Sequence, residues 1–182
     1  MKPYPTHNPN VNLSKYLLIA STIILVFAGS AVYIYLTAIP ELLFRKNYVT
    51  YEVHTMRGAN EKSPLKDAFK KGNKDSVINE FNSLNSPQPE EYLLTGIAFL
   101  EKNQPTKAIE TFNTLIQKNA SSKTDFFEDD AEYYLAMSYL SNNQPEKAMP
   151  IFEKIQANEN HPYNSNVSEW FMINVQTSIA IR

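Results

Sequence analysis

The sequence predicts an all-α protein, in which a single N-terminal transmembrane helix is followed by a short α-solenoid of about three helix pairs plus a capping helix. Three observations lead to this fold class. Residues 16–39 form an apolar run without a charged side chain, and a later segment of the chain occurs twice. Glycine is scarce, with 4 among 182 residues, which suits helices better than a turn-rich β-fold.

The composition excludes several classes of function. The net charge of −2 does not provide the basic surface of a nucleic-acid-binding domain, so we expect no nucleic-acid partner. The absence of cysteine excludes disulfide bonds, thiolate zinc sites and cysteine nucleophiles, although it does not identify the cellular compartment.

The apolar run predicts a membrane-spanning helix over residues 15–40. Its length of about 24 residues exceeds the ~20 that an α-helix needs to cross the hydrocarbon layer. The alternative is a cleaved signal peptide, but the apolar run exceeds the usual limit of about 15 residues and no Ala-x-Ala site follows it. We therefore expect an uncleaved anchor that contacts lipid through residues 16–39. Positive side chains on the two flanks are nearly balanced, so charge alone does not decide the orientation.

The segments on either side of the predicted span differ in character. Residues 1–14 are rich in proline and asparagine and cannot bury enough apolar surface to fold, so we predict a disordered tail. Residues 41–61 form a connector whose partial alternation at 47–55 indicates an extended segment packed on the first helices. Because no strand partner is evident, we favour an irregular linker with a turn at Arg57-Gly58.

The repeat occupies the second half of the chain. Residues 99–115 align without a gap on residues 139–155, and both copies place an aromatic residue, Asn-Gln-Pro, Lys-Ala and Phe at the same offsets. A shorter copy at 68–81 precedes them, and 166–182 predicts the first helix of a further unit that caps the array. We assign residues 62–182 to this helical-repeat domain.

The helix boundaries follow from turn and capping residues. Ser63-Pro64 predicts a helix start and Gly72 a helix end, and Pro105 and Pro145 each open the second helix of a unit. Pro150 falls inside a predicted helix and is expected to kink it or remove a hydrogen bond.

The small and aromatic residues of these units stand at the offsets of tetratricopeptide repeats (TPR), and this part of the chain resembles that family. The offsets have a physical reason, because small residues let two antiparallel helices touch while aromatic residues fill the space between layers. The matching structural positions are Tyr92, Gly96, Phe99, Ala108, Phe112, Ala136, Tyr139, Ala148, Phe152 and Trp170.

More narrowly, the chain resembles membrane-anchored TPR proteins of Bacteroidota. The residues that carry this likeness are Tyr48, Tyr51 and Arg57-Gly58 in the connector, the helix pair from Ala68 to Phe81, and His161-Pro162-Tyr163 before Glu169-Trp170. The resemblance implies an anchor in the inner membrane, with the N-terminus in the cytoplasm and the repeats in the periplasm.

The TPR resemblance also implies a concave face that is lined by the first helix of each unit. An apolar face of this kind suits an extended peptide or an amphipathic helix. The alternative is that the connector or the final helix fills the face from within the same chain. The residues carried over to this face are Leu93, Ile97, Leu100, Tyr133, Met137, Leu140, Phe171 and Val175.

No constellation of residues indicates catalysis, so we expect no enzyme, cofactor, metal or small-molecule substrate. His7, His54 and His161 are far apart in sequence, and we interpret all three as solvated loop residues. The acidic run at 125–132 lacks the spacing of a calcium loop and lies where a helix dipole favours negative charge.

The function expected from these features is a non-enzymatic, membrane-anchored scaffold that binds a protein partner. Two alternatives differ in the client: a chaperone-like, translocon-associated protein that meets exported chains, or an accessory subunit of a large membrane complex.

Overall fold

A computed structural model describes residues 13–53 and 63–181, apart from the side chains of Leu13, Ile34 and Thr37. It confirms the all-α class, because the described residues form nine α-helices and one short 3-10 helix, with no strand. The chain forms two compact units, which divide between Leu36 and Thr37. Most of the predicted tail, the turn at Arg57-Gly58, and His7 and His54 lie outside the described residues.

The first unit is the apolar helix α1, Leu13–Thr37, of 25 residues. Within it, Ser14–Tyr33 has a mean hydropathy of 2.0, so its length and composition fit a membrane span and equally the apolar part of a signal sequence. Its few polar side chains are satisfied inside the helix, since the hydroxyls of Ser21 and Thr22 both donate to the carbonyl of Leu18 at 2.8 Å. Internal bonds of this kind are what an apolar solvent requires.

The second unit begins with a helix where the sequence predicted a connector. Helix α2, Pro40–Asn47, starts with proline in its first turn and carries an i,i+4 pair between Glu41 and Arg45 at 2.8 Å. Helix α1 ends at Thr37, and Pro40, the last residue of the predicted span, opens α2. Residues 48–53 continue without regular secondary structure.

Seven further helices build the repeat domain, and each packs on the next along the chain. They are α3 Pro64–Lys70, α4 Lys74–Ser83, α5 Pro89–Glu101, α6 Pro105–Ser122, α7 Glu128–Ser141, α8 Pro145–Ala157 and α9 Glu169–Ala180.

The repeated Asn-Gln-Pro sequence forms the turn inside each helix pair. Asn103 and Asn143 both take φ 56°, a left-handed conformation that asparagine tolerates better than most residues. The backbone amide of the next residue, glutamine, then donates a hydrogen bond to the preceding helix. In the first of these turns, the amide of Gln104 donates to the carbonyl of Phe99 at 2.9 Å. Gly72, with φ 70°, occupies the same place in the first pair. The repeated residues therefore encode the reversal of the chain.

Close contact between paired helices depends on Gly96. A Cβ built on Gly96 would lie 2.5 Å from Cε1 of Phe112, which is closer than carbon atoms approach without a shift of the ring. Phe112 is fully buried, so the ring has little room to move.

Helix α8 contains the internal proline that the sequence predicted. The helix continues through Pro150, whose missing N–H leaves one helical hydrogen bond unmade.

We expect Gly96→Ala to lower the free energy of unfolding by about 1–3 kcal/mol, because the added methyl group overpacks the contact with Phe112. Denaturant titration of the full chain in mild detergent, followed by far-UV circular dichroism, measures the change. Repeating Gly96→Ala in a Phe112→Leu background should reduce its cost, since the ring atoms that clash are gone. An equal cost in both backgrounds would contradict the assigned contact.

Candidate functional site: the concave face

The eight residues carried over to the concave face lie on α5, α7 and α9, and all of them are buried. Phe171, the most exposed of the eight, is only 4 % exposed. They belong to one apolar cluster that spans these three helices. The predicted concave positions are therefore closed to solvent in this structure.

Residues 40–53, which we call the strap, pack against the apolar cluster that contains these positions. Helix α2, the first part of the strap, packs against α7 and α9. Its Leu43 is 4 % exposed and belongs to the same apolar cluster as the concave face. Of the two occupants that the sequence left open, the connector is the one observed, while the final helix α9 forms part of the face.

Two tyrosines of α7 fix the strap by its main chain. The hydroxyl of Tyr133 donates to the carbonyl of Asn47, and the hydroxyl of Tyr134 donates to the carbonyl of Val49, both at 2.8 Å. These bonds satisfy carbonyls where α2 ends and the extended part begins, where helical partners are missing. Because the acceptors are backbone atoms, the bonds do not depend on the side chains of the strap.

Aromatic contacts continue along the extended part of the strap. Tyr48 and Tyr51 meet the ring of Tyr134 at centroid distances of 5.9 and 6.1 Å, and Tyr51 also meets Phe69 of α3 at 6.3 Å. Val53 packs on the apolar cluster formed by α3, α4 and α5. The strap thus crosses the face from α7 and α9 toward α3, against the order of the repeats.

The hydroxyls that hold the strap remain protonated. Burial, with a further contribution from Glu101, raises the pKa of Tyr48 well above its usual value, and its hydroxyl donates to Glu101 at 2.8 Å. Burial also raises the pKa of both Tyr133 and Tyr134. These groups therefore act as neutral hydrogen-bond donors at physiological pH.

The segment between α8 and α9 packs on α7 beside the residues that bind the strap. The ring of Tyr163 stacks on Tyr133 with centroids 4.0 Å apart, and its hydroxyl donates to Asp130 at 2.6 Å. His161 is buried, which corrects the solvated position predicted for it, and its Nε2 lies 3.4 Å from a carboxylate oxygen of Asp129. Its Nδ1 accepts from the amide of Tyr163 at 3.2 Å.

The acidic run at the start of α7 therefore has structural partners. Besides Asp129 and Asp130, Glu132 pairs with Lys154 of α8. Among the described residues, no group of three His, Cys, Asp or Glu side chains is arranged to hold a metal ion.

Nine of the ten TPR structural positions are buried or half-buried, and Trp170 differs from the expectation for it. Its side chain is 60 % exposed. The aromatic residue of α9 that packs on the preceding unit is Phe171, which meets Phe152 edge-on at 4.9 Å. A shift of one position along α9 turns Trp170 outward.

A family model described as tetratricopeptide repeat matches residues 92–122 and 130–159. The chain contains tetratricopeptide repeats. The two matches coincide with the pairs α5–α6 and α7–α8, while α3, α4 and α9 extend the same helical packing on either side. No curated protein and no solved structure matches the chain. TPR domains are typically protein-binding scaffolds without catalytic activity.

Helix α2, the helical part of the strap, was not predicted from the sequence. Its signals were Pro40 directly before Glu41, and the i,i+4 spacing of Glu41 and Arg45, which together indicate a short helix. Tyr134 was also missed, because TPR offsets place it outside the concave positions, although it touches the strap at three points.

We expect Tyr133→Phe and Tyr134→Phe each to lower the free energy of unfolding by about 1 kcal/mol, because each leaves a part-buried carbonyl of the strap without its tyrosine donor. Both variants should also accelerate amide hydrogen exchange in α2, measured by mass spectrometry on the full chain in detergent. Tyr92→Phe is the matched control, since its hydroxyl makes no hydrogen bond within the described part of the chain. Unchanged exchange of α2 in both α7 variants would contradict the docking contact.

Proposed function

We propose that the protein is a non-enzymatic scaffold that is anchored in a membrane by residues 16–39 and presents its TPR domain to a protein partner. The observation that carries the proposal is the docked strap. Only Ala38 and Ile39 separate α1 from the strap in the sequence, and the strap is held by hydrogen bonds and aromatic contacts across the array. The repeats are thus tied to the segment beside the anchor without a long flexible linker.

Because the strap already occupies the predicted concave positions, only some partners could bind there. A peptide from another protein could use Tyr133 and Met137 only by displacing the strap, and would have to replace both main-chain hydrogen bonds. A peptide able to do so would combine an amphipathic helix with an extended aromatic segment, as the strap does. Weak and promiscuous capture of unfolded chains does not suit a face that is already occupied. We therefore favour a dedicated partner over the chaperone-like alternative.

The location that we propose is the bacterial inner membrane, with the N-terminus in the cytoplasm and the TPR domain in the periplasm. Support for this orientation comes from the resemblance of the connector and the final turn to membrane-anchored TPR proteins of Bacteroidota. The charges that flank the span do not oppose it, because they are nearly balanced.

We expect the intact chain to stay with membranes after alkaline carbonate extraction and to keep the mass of its full sequence. Leu25→Arg should shift protein to the soluble or degraded fraction, since an arginine at the centre of a span costs about 2.5–3.5 kcal/mol on insertion scales. Gln117→Arg, an exposed position on α6, is the matched control. A chain shortened after the apolar segment would show a cleaved signal peptide and contradict the anchor.

The same membranes test the scaffold role. We expect affinity purification of the full chain in mild detergent to yield one stoichiometric protein partner. A diffuse set of substoichiometric clients would contradict a dedicated partner and favour the chaperone-like alternative. A complex that persists when residues after Arg57 are deleted would place the contact in the span and favour an accessory subunit.

A further inference from the structure

Helix α9 exposes an apolar edge that no described element covers. Trp170 is 60 % exposed, Ile173 is 55 % exposed, and Ile181 at the helix C-terminus is 42 % exposed. Their spacings of three and eleven residues place the three side chains on one side of the helix. Large apolar side chains that share an exposed edge indicate a contact surface.

Apolar exposure in the second unit is concentrated at this end of the domain. Of the described residues after Thr37, five large apolar side chains are exposed, and four of them lie on α9 or directly before α2. Helices α2 and α9 pack on each other. The five residues are Ile39, Phe126, Trp170, Ile173 and Ile181.

The edge lies on a helix that packs on the first helix after the predicted span, a step that rests on the anchor proposed above. Only Ala38 and Ile39 separate α1 from α2 in the sequence, and Ile39 is itself exposed. The chain between the proposed anchor and the helix that packs on α9 is therefore short.

The side chains near the edge suit a membrane–water interface, and the charges on α2 and α9 balance. Arg45 and Lys46 are exposed on α2, and cations near an anionic surface gain roughly 1 kcal/mol each. Glu41, which pairs with Arg45, and Glu169, at the start of α9, are the acidic groups on these two helices. Tryptophan is the side chain most typical of the membrane–water interface.

We propose that the edge formed by Trp170, Ile173 and Ile181 rests in the headgroup layer of the bilayer that holds α1. The repeat domain then has a second contact with the membrane, which limits its rotation about the anchor. A second copy of the chain is the competing occupant, and it differs by giving protection that does not depend on lipid.

Trp170 is the only tryptophan of the chain, so fluorescence excited selectively at tryptophan, beyond the absorption of the 11 tyrosines, reports on this edge alone. The experiment uses the full chain reconstituted in vesicles of phosphatidylcholine and phosphatidylglycerol, with or without bromine atoms on the acyl carbons nearest the headgroups. We expect brominated lipid to quench the emission about two-fold or more, because the indole lies in the interface. Emission that brominated lipid does not change, with full quenching by aqueous acrylamide, would overturn the proposal.

Two further measurements, on variants and on vesicle flotation, distinguish a failure of the lipid contact from a failure of the anchor. Ile173→Ser with Ile181→Ser should lower the quenching by lipid, while Phe126→Ser, an exposed position on another element, should not. Vesicle flotation reports the anchor independently. Flotation without quenching overturns only this inference, whereas a chain that does not float overturns the anchor as well. Protection from acrylamide that rises with protein concentration in detergent, without lipid quenching, would assign the edge to a second copy.

Discussion

The hydrogen bonds from Tyr133 and Tyr134 to the carbonyls of Asn47 and Val49 join parts of the chain that are about 85 residues apart, and the rest of the second unit depends on this contact. Leu43 of the strap belongs to the same apolar cluster as the predicted concave residues of α5, α7 and α9. Exposing an apolar side chain of this size costs about 1.5–3 kcal/mol relative to burial. The strap therefore acts as a structural element of the repeat domain.

The same contact shapes what the repeats can do. In a helical-repeat array the concave side is where a ligand peptide usually binds, and here the chain supplies a helix followed by an extended segment to that side. The tyrosines bind main-chain carbonyls, which any sequence could offer. The packing of Leu43 and Tyr48 on the apolar cluster, in contrast, depends on the side chains of the strap. Surfaces outside this cluster, including the edge of α9, are therefore the ones that are open to solvent.

The parts of the fold that the sequence predicted are those encoded by neighbouring residues. Proline at helix starts, Gly72, and the asparagines with positive φ define helix ends locally, which is why the repeat pattern alone predicted the TPR-type helix pairs. The strap was not predicted because α2 has only 8 residues, and because the strap is held by contacts with residues far away in sequence. The solvated position predicted for His161 was wrong for the same reason, since its burial depends on packing against α7. Trp170 and Phe171 are adjacent aromatic residues, and periodicity could not decide which of them faces the core.

The most direct test of the docked strap is thiol accessibility on α2. The chain has no cysteine, so a single substitution gives one reporter. We expect Leu43→Cys to react with a water-soluble maleimide at least about 100-fold more slowly than Lys46→Cys on the same helix, because the side chain at position 43 is buried in the apolar cluster and that at position 46 is exposed. In denaturant, the two thiols should react at equal rates. Equal rates under native conditions as well would mean that the strap does not occupy the concave face, and would contradict the account.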